Sequence, residues 1–182
     1  TEMLEVIAQY PDLYAEWSVN EKVALEVAFG AAMAGSRAFC SMKHVGLNVA
    51  SDALMTMTLT GVAGGLVIAV ADDVGLSSSQ NEQDSRYWGR FAHLPVLEPA
   101  DSQEAHDFTL AAFELSERFD SPVVVRSTTR LSHTRSVVPV GAREVPPPRP
   151  FREDPKKNVM IPAHARARHP KLIEREAAVA AF

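Results

Sequence analysis

The run Leu66–Val67–Ile68–Ala69–Val70–Ala71 constrains the fold more than any other part of the chain. Six successive apolar residues leave a strand with no polar face, so both of its faces must be covered. Strands of that kind lie in the middle of parallel sheets, with helices packed above and below. The neighbouring patterns agree. Met3, Leu4, Ile7 and Ala8 fall at helical spacing and predict a short helix over residues 2–9. Leu13 to Trp17 reads as a short strand. Asn20 or Ser18 is placed to cap a nearly all-apolar helix that begins at Glu21 and runs toward Gly30 and Gly35. Ala38 to Met42 reads as a buried strand, residues 46–59 as a helix and Gln80 to His93 as another. Pro95 to Leu97 is a strand, Ser102 caps a long helix to about Phe119, and Val123 to Val125 is the last clear strand. This alternation predicts an α/β fold, a doubly wound and mostly parallel sheet over residues 1–140, with its first strand missing because the chain opens directly into a helix. Ligands of such sheets bind beyond the carboxyl ends of the strands.

The character changes after Pro139. Pro146, Pro147, Pro148 and Pro150 make a stiff connector, and residues 161–180 read as a helix rich in Ala, Arg and Glu. Residues 141–182 are therefore expected to be a Pro-rich linker and helical tail leading to a further domain. The chain is expected to be a piece of a longer protein. Charge divides along the same line. The tail holds nine Lys/Arg and five Asp/Glu, and residues 1–140 hold nine basic and eighteen acidic residues. An acidic body argues against nucleic acid as a partner. The basic tail lacks interleaved aromatics and reads as a solvated or docking segment. One cysteine, Cys40, excludes an internal disulfide and fits a reducing, cytoplasmic setting. Its apolar surroundings make it a core residue. There is no signal peptide pattern and no apolar stretch of about 18 residues, so no membrane span is expected.

Four places have the residue types for chemistry. Glu21 stands where a helix start meets the interior. A first-turn acid favours the helix dipole, whereas a buried acid needs a partner or a task, and the sequence leaves both readings open. Lys43–His44–Val45–Gly46–Leu47–Asn48 follows a buried strand, where α/β proteins place ligand loops, and Gly46 permits a close backbone approach. His44 alone reads more often as a structural or surface histidine than as a ligand. The third place runs from Asp72 to Arg86 and is dense in carboxylates, hydroxyls and amides, including Ser79, Gln80 and Gln83. Its acidic pair lacks the spaced ligand set of a metal site, so no metal is expected. The fourth, Arg126 to His133, ends the last strand and suits either an anion site or a solvated loop. A P-loop, a G-x-G-x-x-G after a strand, a G-x-S-x-G elbow and an H-E-x-x-H pair are absent from the sequence.

Taken together, Glu21–Gly35, Met42–Val49, Ala71–Arg86 and Val125–His133 resemble the alpha subunits of indolepyruvate:ferredoxin oxidoreductases, in order and over essentially the whole chain. The tail, with Val159–Ala163 and Arg168–Pro170, resembles that family's linker. The resemblance implies an oxidoreductase that oxidatively decarboxylates aryl 2-oxoacids to acyl-coenzyme A. It implies ferredoxin as acceptor, thiamine diphosphate with Mg2+, and iron–sulfur clusters held elsewhere. This stretch resembles the pyrimidine-binding domain. Glu21 falls on the position of the acid that bonds the coenzyme's pyrimidine nitrogen, and His44 and Gly46 join it on the cofactor side. Lys43, Asn48, Ser79, Gln80, Gln83 and Arg126 fall on the substrate-side or interface loops. Implied partners are a diphosphate-binding domain of the same protein, a smaller beta subunit, ferredoxin, coenzyme A and a second copy in a dimer. The diphosphate motif, Gly-Asp-Gly followed by Asn, is absent from these residues, so the resemblance implies an incomplete coenzyme site and an inactive isolated fragment. A pyruvate or general 2-oxoacid relative and a non-catalytic α/β assembly module are the alternatives.

Overall fold

The sheet follows from the apolar runs. In the computed structural model, which describes residues 2–182, β1 (Ala38–Lys43), β2 (Leu66–Asp72), β3 (Val96–Leu97) and β4 (Val123–Thr128) form one parallel sheet in the order β1-β2-β4-β3. Cys40, Ile68, Val124 and Val96 align in one row across the four strands, and Phe39, Val67 and Val123 in the row beside it. Side chains alternate between faces along a strand, so these rows point to opposite sides.

The first row joins a core made with α2 (Glu21–Met33), α3 (His44–Val49), α4 (Ser51–Thr60) and α5 (Arg86–Ala92). Leu25, Leu47, Leu54, Leu66 and Ile68 are fully buried there. Each such leucine contributes about 1.5–3 kcal/mol relative to an exposed one. The second row packs under α6 (Ser102–Phe119) through Ala112, Phe113 and Leu115. The chirality of crossovers accounts for the division. β1 to β2 and β2 to β3 step in one direction and place their helices on one face; β3 to β4 steps back, so its helix lands on the other.

Several expected elements take a different form. Leu13 to Trp17 is not a strand; it is irregular chain that pairs with none of the four strands and leaves Tyr14 and Trp17 exposed. The helix expected over 46–59 is two, α3 and α4, which meet at Ala50. The helix expected from Gln80 begins only at Arg86, because side chains from the sheet hold the main chain of residues 77–85, as described below. Asp101, not Ser102, caps α6. Its Oδ1 accepts the Glu104 N–H at 2.9 Å while the Glu104 carboxylate accepts the Ala100 N–H at 2.8 Å, a reciprocal capping box. A short α1 (Glu2–Ile7) opens the described chain, α7 (Thr129–Ser132) follows β4 directly, and α8 (Pro155–Asn158) precedes α9 (Pro162–Ala180).

The tail returns to the body. The last carbonyls of a helix lack partners within it and attract cations. At the end of α4, Arg168 donates to the carbonyls of Leu59 (2.7 Å) and Thr60 (3.2 Å), and Arg175 donates to that of Thr58 (2.5 Å) and to that of Asp120 (2.7 Å), the C-cap of α6. Burial pushes the Arg175 guanidinium down from its ordinary value, and the nearby Asp120 carboxylate works against that shift. The Asp120 carboxylate also accepts from the Val62 N–H (2.7 Å) and Lys157 (2.8 Å), and lies 3.6 Å from Arg168. Leu172 is buried on the same helix. Upstream, Arg149 crosses Gly35 so closely that a Cβ there would stand 1.6 Å from the Arg149 carbonyl oxygen, at a backbone φ of +97°. Only glycine fits.

Candidate functional site

The carboxyl ends of the strands carry Lys43, Asp72, Glu98 just past β3, and Thr128. Two arrangements occupy this rim.

The first is a seated acid. Asn20 Oδ1 caps α2 through the Val23 N–H at 3.0 Å, which places Glu21 in the first turn. Glu21 is half-buried and lies against Gly46 of α3. A Cβ on residue 46 would be 2.5 Å from Glu21 Cγ and 2.8 Å from its Oε1, so the missing side chain is the space the carboxylate fills. Its neighbour Lys22 turns to Glu26 (3.9 Å) and Asp52 (3.5 Å). The Glu21 carboxylate has neither a hydrogen bond nor an ion pair among the described residues, and its oxygens keep access to solvent. Its charge reaches Cys40 in β1. Burial, with Glu21 adding to it, pushes the Cys40 thiol up to about 12, which keeps that residue an inert thiol.

The second arrangement is a polar loop, residues 73–85, pinned from the ends of β1 and β2 and the first residues of α3 and α7. Asp73 carries most of it. Its Oδ2 accepts the Ser78 N–H at 2.6 Å, and its Oδ1 accepts the Ser77 N–H at 3.1 Å and the Thr129 hydroxyl at 3.0 Å. These bonds, the Ser78 N–H foremost, hold the Asp73 carboxyl well below the usual range. Lys43 Nζ donates to Ser78 O at 2.9 Å. His44 is fully buried. Its Nε2 lies 3.0 Å from Asn81 O, and its Nδ1 lies 3.4 Å from both Asp73 N and Ala71 O. A carbonyl only accepts, so the shorter contact is made by an Nε2–H that donates to Asn81 O, and in that tautomer Nδ1 accepts the Asp73 N–H. At the far end of the loop, the buried Asp72 carboxylate accepts the Ser85 N–H at 2.9 Å and the Ser85 hydroxyl.

Asp72 is also the partner of Arg126, which donates to it from Nε at 2.6 Å and to Glu98 from Nη1. Asp84 joins at 3.8 Å, and is held at about 2 chiefly by its hydrogen bonds from Arg86. The same contact, through Asp84, raises Arg86.

Of the residues singled out from the sequence, Glu21 and Gly46 are thus in direct contact, and Lys43 and His44 both hold the polar loop. Arg126 is 4 % exposed and already engaged by carboxylates. Asn48 and Gln80 are exposed, and Gln83 donates to Asn81 Oδ1 at 2.8 Å. The Ser79 hydroxyl, beside Asp73, is the one buried side-chain polar atom among the described residues that lacks an aligned hydrogen-bond partner. Asp72, Asp73, Ser85 and Thr129 organise the rim and were not singled out individually. The available signal was an acidic pair ending the central strand ahead of a Ser-rich run, the pattern of side chains that cap loop main chain. Among the described residues no group of three or more His, Cys, Asp or Glu is arranged to hold a metal ion, and no helix is long and apolar enough to cross a membrane.

An open parallel α/β sheet with an unpaired acid and a pinned polar loop beyond its strand ends has the form of a coenzyme-binding domain of the doubly wound class. Residues 2–178 match the family described as pyruvate flavodoxin/ferredoxin oxidoreductase, thiamine diphosphate-binding, and the chain belongs to that family. It is 53% identical over 174 residues to the indolepyruvate oxidoreductase subunit IorA of Methanothermobacter thermautotrophicus, a match covering 95% of this chain and 28% of that protein. It is 47% identical over 181 residues to the IorA of Thermococcus kodakarensis, covering 96% of this chain and 28% of that one. The chain therefore spans between a quarter and a third of the length of these relatives. Among solved structures it resembles a 2-oxoglutarate:ferredoxin oxidoreductase from Magnetococcus marinus with 2-oxoglutarate, coenzyme A and succinyl-CoA bound. That TM-score is 0.66 at 15% identity, over 91% of this chain and 36% of that one, a likeness of fold.

Proposed function

We propose that this chain supplies the aminopyrimidine half of a thiamine diphosphate site in an oxidoreductase that oxidatively decarboxylates aryl 2-oxoacids to acyl-coenzyme A, with ferredoxin as acceptor. One observation carries the reading: the Glu21 carboxylate fills the notch left by Gly46 at the rim and has no partner of its own among the described residues. An acid so placed fits a heteroaromatic ring nitrogen. It is partly shielded from water, no cation competes for it, and one side remains open. When bound, the coenzyme supplies a carbon nucleophile and an electron sink for decarboxylation. Glu21 would hold the proton for the coenzyme's ring nitrogen, and Gly46 sets the depth at which the carboxylate sits. The inert Cys40 and the apolar first turns of α2 limit water on the inner side of the carboxylate. The pinned loop, with Lys43, Asn48, Ser79, Gln80 and Gln83, forms the substrate or interface side of the site.

The remaining parts belong to the same proposal. They are a diphosphate-binding domain with Mg2+, iron–sulfur clusters outside these residues, a smaller beta subunit, a dimeric assembly and a cytoplasmic location. The high identity to indolepyruvate oxidoreductase subunits favours an aryl 2-oxoacid over pyruvate. The test is Glu21→Gln in the assembled enzyme. Turnover is expected to fall by about 10²–10⁴ with the fold intact, the range of a general acid–base contribution. Near-normal turnover refutes the assignment and leaves an assembly module.

A further inference from the structure

We propose that His44 is a positioning residue that makes the Glu21 seat and the polar loop 73–85 one rigid unit. The inference rests on the preceding functional reading only where turnover is concerned. His44 is the first residue of α3, two positions before the glycine that receives the Glu21 carboxylate. Its ring is fully buried, and both nitrogens are directed at main chain on the far side of the rim. Nε2–H donates to Asn81 O at 3.0 Å, and Nδ1 receives the Asp73 N–H at 3.4 Å. The ring therefore ties the first turn of α3 to both the root and the middle of the loop. A short helix has few internal hydrogen bonds with which to hold its own position. α3 has six residues, so an anchor at its first turn decides where Gly46 lies, and with it how deep Glu21 can sit. Lys43, the preceding residue, adds a second and more exposed tie through Ser78 O at 2.9 Å. The two residues that the sequence places beside the ligand thus hold protein main chain.

His44→Gln keeps an amide donor but cannot hold both contacts, and Lys43→Met removes the outer tie without touching the core. Hydrogen exchange of the assembled protein reads the unit directly. In His44→Gln, the amides of residues 77–85 and of residues 46–48 are expected to exchange together about tenfold faster or more, the loss of one to two hydrogen bonds. In Lys43→Met only the amides near Ser78 are expected to respond. Turnover in His44→Gln should fall about tenfold to a hundredfold through misplacement, with little change in KM for the 2-oxoacid. Faster exchange of the loop with residues 46–48 unchanged overturns the proposal. So does joint loosening without loss of turnover in an enzyme that Glu21→Gln inactivates. If Glu21→Gln leaves turnover normal but His44→Gln still loosens both segments together, the functional reading fails and the positioning role stands. Should His44→Gln prevent folding, His44→Asn is read in its place, since its shorter amide cannot span from the root of the loop to Asn81 O: loosening of residues 77–85 with residues 46–48 unchanged overturns the proposal.

Discussion

Gly46→Ala isolates the Glu21 seat from the rest of the fold. The new methyl carbon would start 2.5 Å from Glu21 Cγ, 2.8 Å from Oε1 and 2.9 Å from Cδ. Relaxed carbon contacts lie near 3.5–4.0 Å, so the carboxylate must retreat by about 1 Å or more. It can do so, because its side chain is flexible and reaches solvent on one side. Alanine inside a helix gains about 0.5–1 kcal/mol over glycine, and repositioning the displaced side chain costs a comparable amount. Net stability should therefore stay within about 1 kcal/mol of the parent, a Tm change of a few degrees for a chain of this size. On the role proposed for Glu21, turnover should not survive so well: a displacement of about 1 Å in a group that holds the reacting proton costs on the order of a hundredfold. The assay is steady-state reduction of ferredoxin with an aryl 2-oxoacid and coenzyme A, run beside urea denaturation. A double-mutant cycle completes the logic. If Gly46 acts through Glu21, then Gly46→Ala added to Glu21→Gln costs little or nothing more. Turnover within about twofold of the parent, or full additivity in the cycle, would sink the argument that this glycine sets the depth of the acid.

Two further outcomes are expected. Asp120→Asn keeps an oxygen for the Val62 N–H and tolerates the left-handed backbone at φ 54°, so it removes only the charge facing Lys157 and Arg168. It should cost about 1 kcal/mol at low ionic strength, shrink in high salt, and speed proteolysis between residues 141 and 161. Unchanged proteolysis would mean that the charge does not hold the tail. The second concerns acid. Asp84 is held at about 2 in the folded chain and Asp73 is also depressed. A depressed folded value means a contribution fully present above the unfolded value near 3.9 and lost as pH falls through the folded one. Stability should therefore drop between about pH 4 and pH 2, and Asp84→Asn should flatten that slope in urea titrations at stepped pH. An identical slope in the variant would assign the loss to other groups.

The sheet was legible because its evidence is local. Six apolar residues in a row at 66–71 and the shorter runs at 38–42 and 123–125 read as strands without knowledge of their neighbours, and each is one. Leu13 to Trp17 has the composition of a strand but pairs with none, and pairing is not a local property. The late start of α5 shows the same limit. Residues 80–85 have acceptable helical character, yet Asp72, Asp73, Lys43 and His44 hold the main chain of residues 77–85. The contact between Glu21 and Gly46 joins positions twenty-five residues apart. The glycine was legible as a close approach, but the group that approaches it was not. Charge counts separated an acidic body from a basic tail, although they gave no sign that Arg168 and Arg175 would spend themselves on backbone carbonyls.

That last arrangement has a practical side. The proline run invites a stop codon near residue 140, since composition changes there and exposed valines follow. A chain ended at that point would lose Leu172 from its pocket and leave the carbonyls of Thr58, Leu59 and Thr60 without the guanidinium groups that now receive them. Water would take over those carbonyls, but the apolar surface that Leu172 covers would be exposed, so the shortened product should unfold at lower urea than the 182-residue chain.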